Sequence, residues 1–575
     1  MTTPRRRLLR ALPFVLAAVS LLPGLGLKDP WPADEPRYAL VAAEMLAGGD
    51  GGGWGSWLVP VRAGEPYSDK PPLFFWLEAA TLAATGSIRL AHQLPSLLAA
   101  LATLLLVHDL ARRLWNRRVA LWAAAILLTT VQFTLQARSG QIDATLTLFT
   151  TLGLYGLLRH LLLGPAWGWY VAAFAAMGLG VMTKGVGFLP LLVFLPFAWA
   201  AARGWQRPAL AGGRPWRAAA LWALGPLAFA AVLAAWLLPL LAHVAASGDP
   251  ALAAYRDDLL FRQTVERYAD SWGHVRPAWY YVTSVLPWAW LPTTLALPWL
   301  LPAWRRRLAR GDARQLLLLG WIALVLAFFS LSAGKRGVYL LPTAPALALA
   351  AAPLAAGLWQ RRRLHWAGFA VTLLVAAAGL VVAALPGRLA DAGLPPLTGP
   401  GVAFAALAVA AAAAARPRRG LVALVATLAG CWAIVGLWVY PRLDPARSGS
   451  ELMAAVEAEL PAGDELALVG WREQMFLQGS REMTHWGFRT PAEVETRAAV
   501  AWLAAGERRH VLLPERSLAP CFAPGTAVAT AHRRDWHLVS TAELTDDCAA
   551  EAEDAPPPIR YRSPLDRRVD HRQDG

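Results

Sequence analysis

A chain of 575 residues that is 56 % hydrophobic and only 16 % charged, with a mean hydropathy of +0.39, is too apolar for a soluble protein and too long for one small domain. Its net charge of +15 is unevenly placed: residues 1–440 carry +21, and residues 441–575, with 16 Arg against 22 Asp and Glu, carry −6. The basic excess lies in short loops between apolar runs, where it sets membrane topology, so nucleic-acid binding is excluded.

In chain order, "RRRLLRALPFVLAAVSLLPGLGL" comes first. It lacks a small-residue cleavage site and many apolar runs follow, so a retained helix over 8–27 is expected in place of a signal peptide. Arg5, Arg6, Arg7 and Arg10 set its start inside. Putting the Arg clusters near 112–118, 203–217, 305–310, 361–363 and 416–419 on that same side predicts twelve further spans. They fall near 90–111, 119–137, 143–161, 167–183, 186–203, 217–244, 279–302, 314–332, 337–357, 365–385, 400–416 and 420–440. Thirteen crossings place the C-terminal part outside. "PPLFFWLEAATLAATG" (71–86) is short for a crossing and carries Glu78, so an interfacial or re-entrant helix is expected there.

The predicted fold class is therefore an α-helical polytopic membrane protein of about thirteen transmembrane helices with a small C-terminal α/β soluble domain. Residues 1–350 hold the chemistry, with outer loops 28–89 and 245–278, and residues 351–440 add further helices. Residues 441–545 form the soluble unit, with strands at "ELALVGW" and "HVLLPE" and helices at "SELMAAVEAEL" and "PAEVETRAAVAWLAAG". Residues 546–575, acidic, Pro-rich and then Arg/Asp-rich, are expected to be disordered. Cys521 and Cys548 either pair or remain thiols, because spacing does not decide it.

The charged residues outside the basic clusters carry the chemistry. Of the 17 acidic residues before Pro441, only Asp109 and Asp312 fall inside. Only four of the 54 basic residues are Lys, and all four, Lys28, Lys70, Lys184 and Lys335, fall outside. A compact ammonium suits a point contact to phosphate, whereas composition bias alone also explains scarcity.

"WPADEPRYALVAAEML" puts Asp34 and Glu35 at the start of a helix beginning near Pro36 and ending at Gly48–Gly49. Either carboxylate suits a helix cap; two together at the membrane edge also suit a general base aimed at a hydroxyl. "EPYSDKPP" holds Lys70 before two prolines, ahead of the aromatics Phe74, Phe75 and Trp76. That arrangement fits a lipid phosphate or plain interfacial anchoring. "QARSGQIDATLTLF" puts Arg138 and Asp143 at the edge of two spans, a cap or the rim of a functional cavity. "VMTKGVGFLP" sets Lys184 in a glycine-flanked turn. "FRQTVERYADSWGHVRPAWYYV" mixes Arg262, Arg267, His274 and Arg276 with Tyr and Trp, for anions and sugar stacking or for an interfacial belt. "SAGKRGVYLLPTAPAL" puts Lys335 and Arg336 together on the outer side, against the positive-inside trend, with Tyr339 one turn on. No zinc-ligand spacing, Walker A or Rossmann fingerprint occurs. No cofactor is expected, and two carboxylates leave a divalent metal open.

"DEPRYA", "KPPLFFW", "SGQID", "TKG", "RPAWYYV" and "GKRGVYLLP" occur in the order seen in GT-C glycosyltransferases. Over roughly residues 8–350 the chain resembles the aminoarabinose transferase and protein O-mannosyltransferase-like group. The resemblance implies a bacterial inner-membrane enzyme, N-terminus cytoplasmic and C-terminal domain periplasmic. It implies a polyprenyl-phosphate-linked sugar donor and an envelope lipid or glycan acceptor, with single-displacement inversion. It implies Asp34 and Asp143 as catalytic carboxylates. Lys70, Arg267, Lys335 and Tyr339 are implied as contacts to the carrier phosphate. Glu35, Lys184 and Arg336 join them as substrate-binding candidates from their position alone. The Gly-rich "GGDGGGWGSW" and Arg336 depart from the family pattern. A protein O-mannosyltransferase-like enzyme is the runner-up. A flippase for lipid-linked sugars would need ionisable residues along a path through the bilayer, whereas here they gather at one face.

Overall fold

The computed structural model describes residues 14–48, 55–207, 215–260, 275–390, 393–531, 534–545 and 555–565. Among them, seven helices are long and apolar enough to cross a membrane: Ile88–Leu114, Ile142–Leu163, Trp216–Ser247, Ala313–Leu331, Arg362–Ala384, Thr398–Ala415 and Pro417–Ser448. An eighth is the pair Arg117–Thr129 and Val131–Ala137, bent by 71°. The thirteen expected segments all contain helix, but not all as straight spans. The first is helical over 14–21. Trp167–Lys184 is continuous over 18 residues, with Trp, Tyr and Lys at its ends. Leu189–Ala202 and Thr343–Leu358 are shorter apolar helices, and Thr293–Ala309 carries Pro298 and Pro302 inside it. Proline and π- or 3-10 turns interrupt these segments, so apolar length in the sequence does not become helix length.

The helices meet through small residues. Ile142–Leu163 packs on Trp167–Lys184 and on the helix Leu94–Leu114. A Cβ on Gly156 would lie 2.3 Å from the Trp169 carbonyl oxygen, so only glycine allows that crossing. Leu73–Thr85 has 13 residues, about 20 Å of helix at 1.5 Å per residue, short of a roughly 30 Å hydrocarbon core.

Residues beyond the last span form a six-stranded sheet in the order β6-β7-β5-β3-β4-β8. Its strands are β3 (Glu465–Leu468), β4 (Met483–His485), β5 (Arg509–Pro514), β6 (Thr526–Ala531), β7 (Arg534–Val539) and β8 (Ile559–Tyr561); β1 (Val61–Arg62) and β2 (Glu65–Pro66) form a hairpin in the first long loop. β3 is parallel to β4 and β5, and β7 and β8 run antiparallel on either side. Both strands and both helices expected in this unit are present. β8 corrects the expectation for 546–575: within the acidic end, Ile559–Tyr561 pairs with β4. Its Ile and Tyr are strand formers, which composition over the whole segment conceals. Cys521 is disulfide-bonded and Cys431 is free; the remaining cysteine, Cys548, lies outside the described residues.

The soluble unit is not merely tethered. Leu40 and Ala63 of the first loop, each fully buried, share one apolar cluster with Leu452, Leu466, Trp471, Phe476 and Tyr561.

Candidate active site

The helix Glu35–Ala47 starts with Pro36 in its first turn and stops at Gly48, whose φ of 91° only glycine takes easily. Asp34 occupies its N-cap position but makes no capping bond. Its Oδ2 instead accepts from Arg336 Nη2 at 2.8 Å, and its Oδ1 lies 3.9 Å from Arg37 Nη1. Burial pushes this carboxyl up, but Arg336, Arg37 and Lys70 outweigh it and hold the group below the usual carboxylate value.

Arg336 reaches Asp34 because of its backbone. It is extended, at φ −119° and ψ 141°, ahead of the 3-10 turn Gly337–Leu340. Successive side chains of an extended chain point to opposite sides. Lys335 accordingly turns into the protein, where its ammonium donates to the carbonyls of Ser332, Arg276 (2.9 Å) and Ala333 (3.5 Å). Lys335, expected from the sequence to meet the carrier phosphate, is 4 % exposed and ties the end of Ala313–Leu331 to the segment at Arg276.

Asp143 lies in the first turn of Ile142–Leu163 and pairs with Lys184, the last residue of Trp167–Lys184, at 2.5 Å. An acid at a helix start and a lysine at a helix end both complement the helix dipole. The Lys184 ammonium lies 4.7 Å from the centroid of the Tyr339 ring. Arg336 feels Asp34 first, then Asp143 and Tyr339, so against burial its guanidinium is held above its ordinary value. Lys70 donates to the Asp69 carbonyl at 2.8 Å and acts on Asp34 through its charge. Asp34, Asp143, Lys70, Lys184, Arg336 and Tyr339 are thus one neighbourhood built from five separate stretches. Arg267 lies outside the described residues.

Glu35 is not part of it. Its two oxygens accept from Lys28, from Trp31 N at 2.8 Å and from Gly140 N at 3.0 Å. Lys28 is itself 3 % exposed and lies over the Trp31 and Tyr440 rings. Glu35, a substrate-contact candidate from the sequence, here braces the first loop against "SGQID". Two residues of the neighbourhood had no role assigned from the sequence: Arg37, one turn after Asp34, and Glu473, which accepts from Arg37 Nε at 2.8 Å. Arg37 was visible as a cation at helical spacing from Asp34; nothing local connects Glu473 to a loop 436 residues away. Among the described residues no three His, Cys, Asp or Glu side chains come close enough to hold a metal.

Two carboxylates, each held by a cation, can order a hydroxyl or take its proton. The guanidinium and ammonium groups around them can receive an anion.

Residues 69–244 match the family described as dolichyl-phosphate-mannose-protein mannosyltransferase. Over 356 residues the chain is 33 % identical to the undecaprenyl phosphate-alpha-4-amino-4-deoxy-L-arabinose arabinosyl transferase 2 of Sodalis glossinidius, covering 60 % of this chain and 58 % of that protein. It is 34 % identical over 351 residues to transferase 1 of that name from Pseudomonas fluorescens, covering 59 % and 58 %. These matches span less than two thirds of the relatives' own length. The structure superposes on the crystal structure of ArnT from Cupriavidus metallidurans bound to undecaprenyl phosphate with a TM-score of 0.70 at 21 % identity, covering 95 % of this chain and 100 % of that one. The apo state of the same protein gives 0.68. The chain therefore has the fold of that protein, and over about 60 % of its length its sequence is similar to the arabinosyl transferases named above.

Proposed function

We propose that the chain is a membrane glycosyltransferase that takes a sugar from a polyprenyl-phosphate carrier and delivers it to an envelope acceptor, a lipid A-type glycolipid or another cell-envelope glycan. The observation that carries this is the pair Asp34–Arg336 set beside Asp143–Lys184, with Lys70 close enough to act on Asp34. Similarity to transferases named for an undecaprenyl-phosphate sugar supports the donor class.

In this mechanism Asp34, kept ionised by its cations, accepts the acceptor hydroxyl's proton. The hydroxyl oxygen bonds to the anomeric carbon as the bond from that carbon to the phosphate oxygen breaks. The electron pair leaves with polyprenyl phosphate, and the anomeric configuration inverts. Arg336, Lys70 and Lys184 stabilise charge growing on the departing phosphate; removing one such donor costs about 10²–10³ in turnover. Tyr339, beside Lys184, donates a hydrogen bond there. Asp143 orients Lys184 and adds to the field on Arg336.

The enzyme sits in the bacterial inner membrane with thirteen crossings, its N-terminus cytoplasmic, and the site and soluble unit periplasmic. A second reading, transfer to a protein hydroxyl, is favoured by the match over 69–244 to protein mannosyltransferases.

The test is transfer by purified protein in lipid nanodiscs, given polyprenyl-phosphate sugar and separate extracts of envelope glycolipid and envelope protein. Asp34→Asn should abolish transfer with folding intact, and the labelled product names the acceptor. Normal transfer by that variant removes Asp34 from the role; movement of intact lipid-linked sugar without product makes the chain a transporter.

A further inference from the structure

The soluble unit holds the first loop at the carboxyl ends of its central strands. β3 ends at Leu468 and β4 at His485, and the residues that follow each strand meet residues 37–69. Glu473 accepts from Arg37 and lies 3.6 Å from Arg62 Nη1. His485 Nε2 lies 3.0 Å from the Ala63 carbonyl oxygen. Phe488 N donates to Glu65 at 2.8 Å. The Phe488 ring covers the Arg62 guanidinium, 3.7 Å from ring centroid to Cζ. Arg489 Nη2 reaches Asp258 at 2.9 Å and Asp69, the neighbour of Lys70, at 3.4 Å. In doubly wound sheets this end of the strands is where small ligands are received. Here the occupant is the chain's own loop.

The consequence lies in where the grip falls. Arg37, in the first helical turn, pairs with Glu473 through Nε at 2.8 Å, and its Nη1 lies 3.9 Å from Asp34 Oδ1. Glu473 is 3 % exposed and Arg37 largely buried. An ion pair sheltered from water has defined geometry, unlike an exposed one. We propose that Glu473 is a positioning residue for the reaction. From the soluble unit it fixes Arg37, and through Arg37 the rotation of the helix start that aims the Asp34 carboxylate. This rests on Asp34 being the base. The soluble unit is then a working part of the membrane site and not a separate appendage.

The test uses the full chain in nanodiscs with Glu473→Gln, Glu473→Asp as the conservative rescue, and Arg508→Ala as a control. Arg508 pairs with Asp464 on an exposed face of the same unit. Two readouts are taken. In transfer, Glu473→Gln should lower kcat about 10- to 100-fold, the scale of a misplaced reacting group, with the donor KM within about twofold. Glu473→Asp should recover part of the rate, and Arg508→Ala all of it. In hydrogen exchange, amides of residues 35–41 should exchange faster in Glu473→Gln than in Arg508→Ala. Wild-type kcat in Glu473→Gln, or unchanged exchange over 35–41, overturns the proposal, as does an equal loss in Arg508→Ala. If the unaltered protein transfers no sugar, the functional reading fails, and the exchange readout alone decides whether Glu473 holds the helix.

Discussion

Asp34 and Arg336, 302 positions apart, meet at 2.8 Å through a single guanidinium nitrogen, Nη2. Arg336 keeps Asp34 ionised but also makes it a weaker base. Removing the guanidinium lets burial raise the Asp34 carboxyl. A base must be deprotonated, so the acid limb of kcat/KM against pH should move to higher pH in Arg336→Ala. Turnover at the optimum should fall about 10²–10³ if the same guanidinium also serves the leaving phosphate. Arg336→Lys should restore the limb more than the rate. An unmoved acid limb would separate Arg336 from Asp34 in function.

Asp143 and Lys184 should behave as one unit. Lys184→Met leaves a carboxylate whose side chain is 8 % exposed without its partner, and Asp143→Asn leaves an ammonium over Tyr339. Each single change should hurt turnover, while the double change should do no more harm than the worse single. A double-mutant cycle should give a coupling of about 0.5–3 kcal/mol. Strict additivity would mean that the two act separately.

How far the sequence carried depended on the range of the interaction. The helix after Asp34 was legible because Pro36 and Gly48 mark its ends within fourteen residues. The four lysines were legible as a set but not as roles. Lys28 and Lys335 are buried braces, and Lys184 and Lys70 face the carboxylates. The backbone between Lys335 and Arg336 decides which of two adjacent cations meets Asp34, and composition does not contain that alternation. Whether a proline in an apolar run bends, breaks or merely decorates a helix depends on its neighbours in space. Hence the interrupted segment before Thr293 escaped a count of apolar residues, and the bend at Thr130, where no proline stands, escaped it too. β8 escaped for the same reason: three residues gain strand structure only because β4 lies open beside them.

The buried lysines should separate from the site lysine by readout. Lys28→Met leaves Glu35, whose side chain is 7 % exposed, without its ammonium, and should cost about 3–5 kcal/mol of stability. Lys335→Met should also lower the melting temperature. Both should keep the donor KM of the surviving folded protein. Lys70→Ala should do the reverse, losing about 10²–10³ in turnover with little change in melting. A Lys335→Met variant that melts normally yet loses donor affinity would return Lys335 to the phosphate.

The joint between the first loop and the soluble unit carries two titratable groups of opposite sign. Glu44 accepts from Ala63 N at 2.6 Å and Tyr561 Oη at 2.7 Å. Burial pushes its carboxyl up to about 7, with these donors and Arg62 opposing. The folded state holds that proton more tightly than the unfolded chain. The Glu44 contribution is therefore full below about 4.5 and is lost as pH rises through about 7. His485, against the Ala63 carbonyl, is pushed down by burial to about 4. Its contribution is present above about 6.5 and is lost as pH falls through about 4. Each term is at most about 3 kcal/mol, from 1.36 kcal/mol per pKa unit. The two terms change in opposite directions over the same window, so in the unaltered protein protection of residues 61–66 from protease should vary by less than about 1 kcal/mol between about pH 4 and 7. Glu44→Gln should unmask a loss of protection as pH falls toward about 4, and His485→Gln a loss as pH rises toward about 7. Each variant should leave the other limb in place, because Glu44 and His485 bond to different atoms of Ala63. A single variant that removed both limbs would show instead that the joint opens as a unit, with neither group titrating on its own.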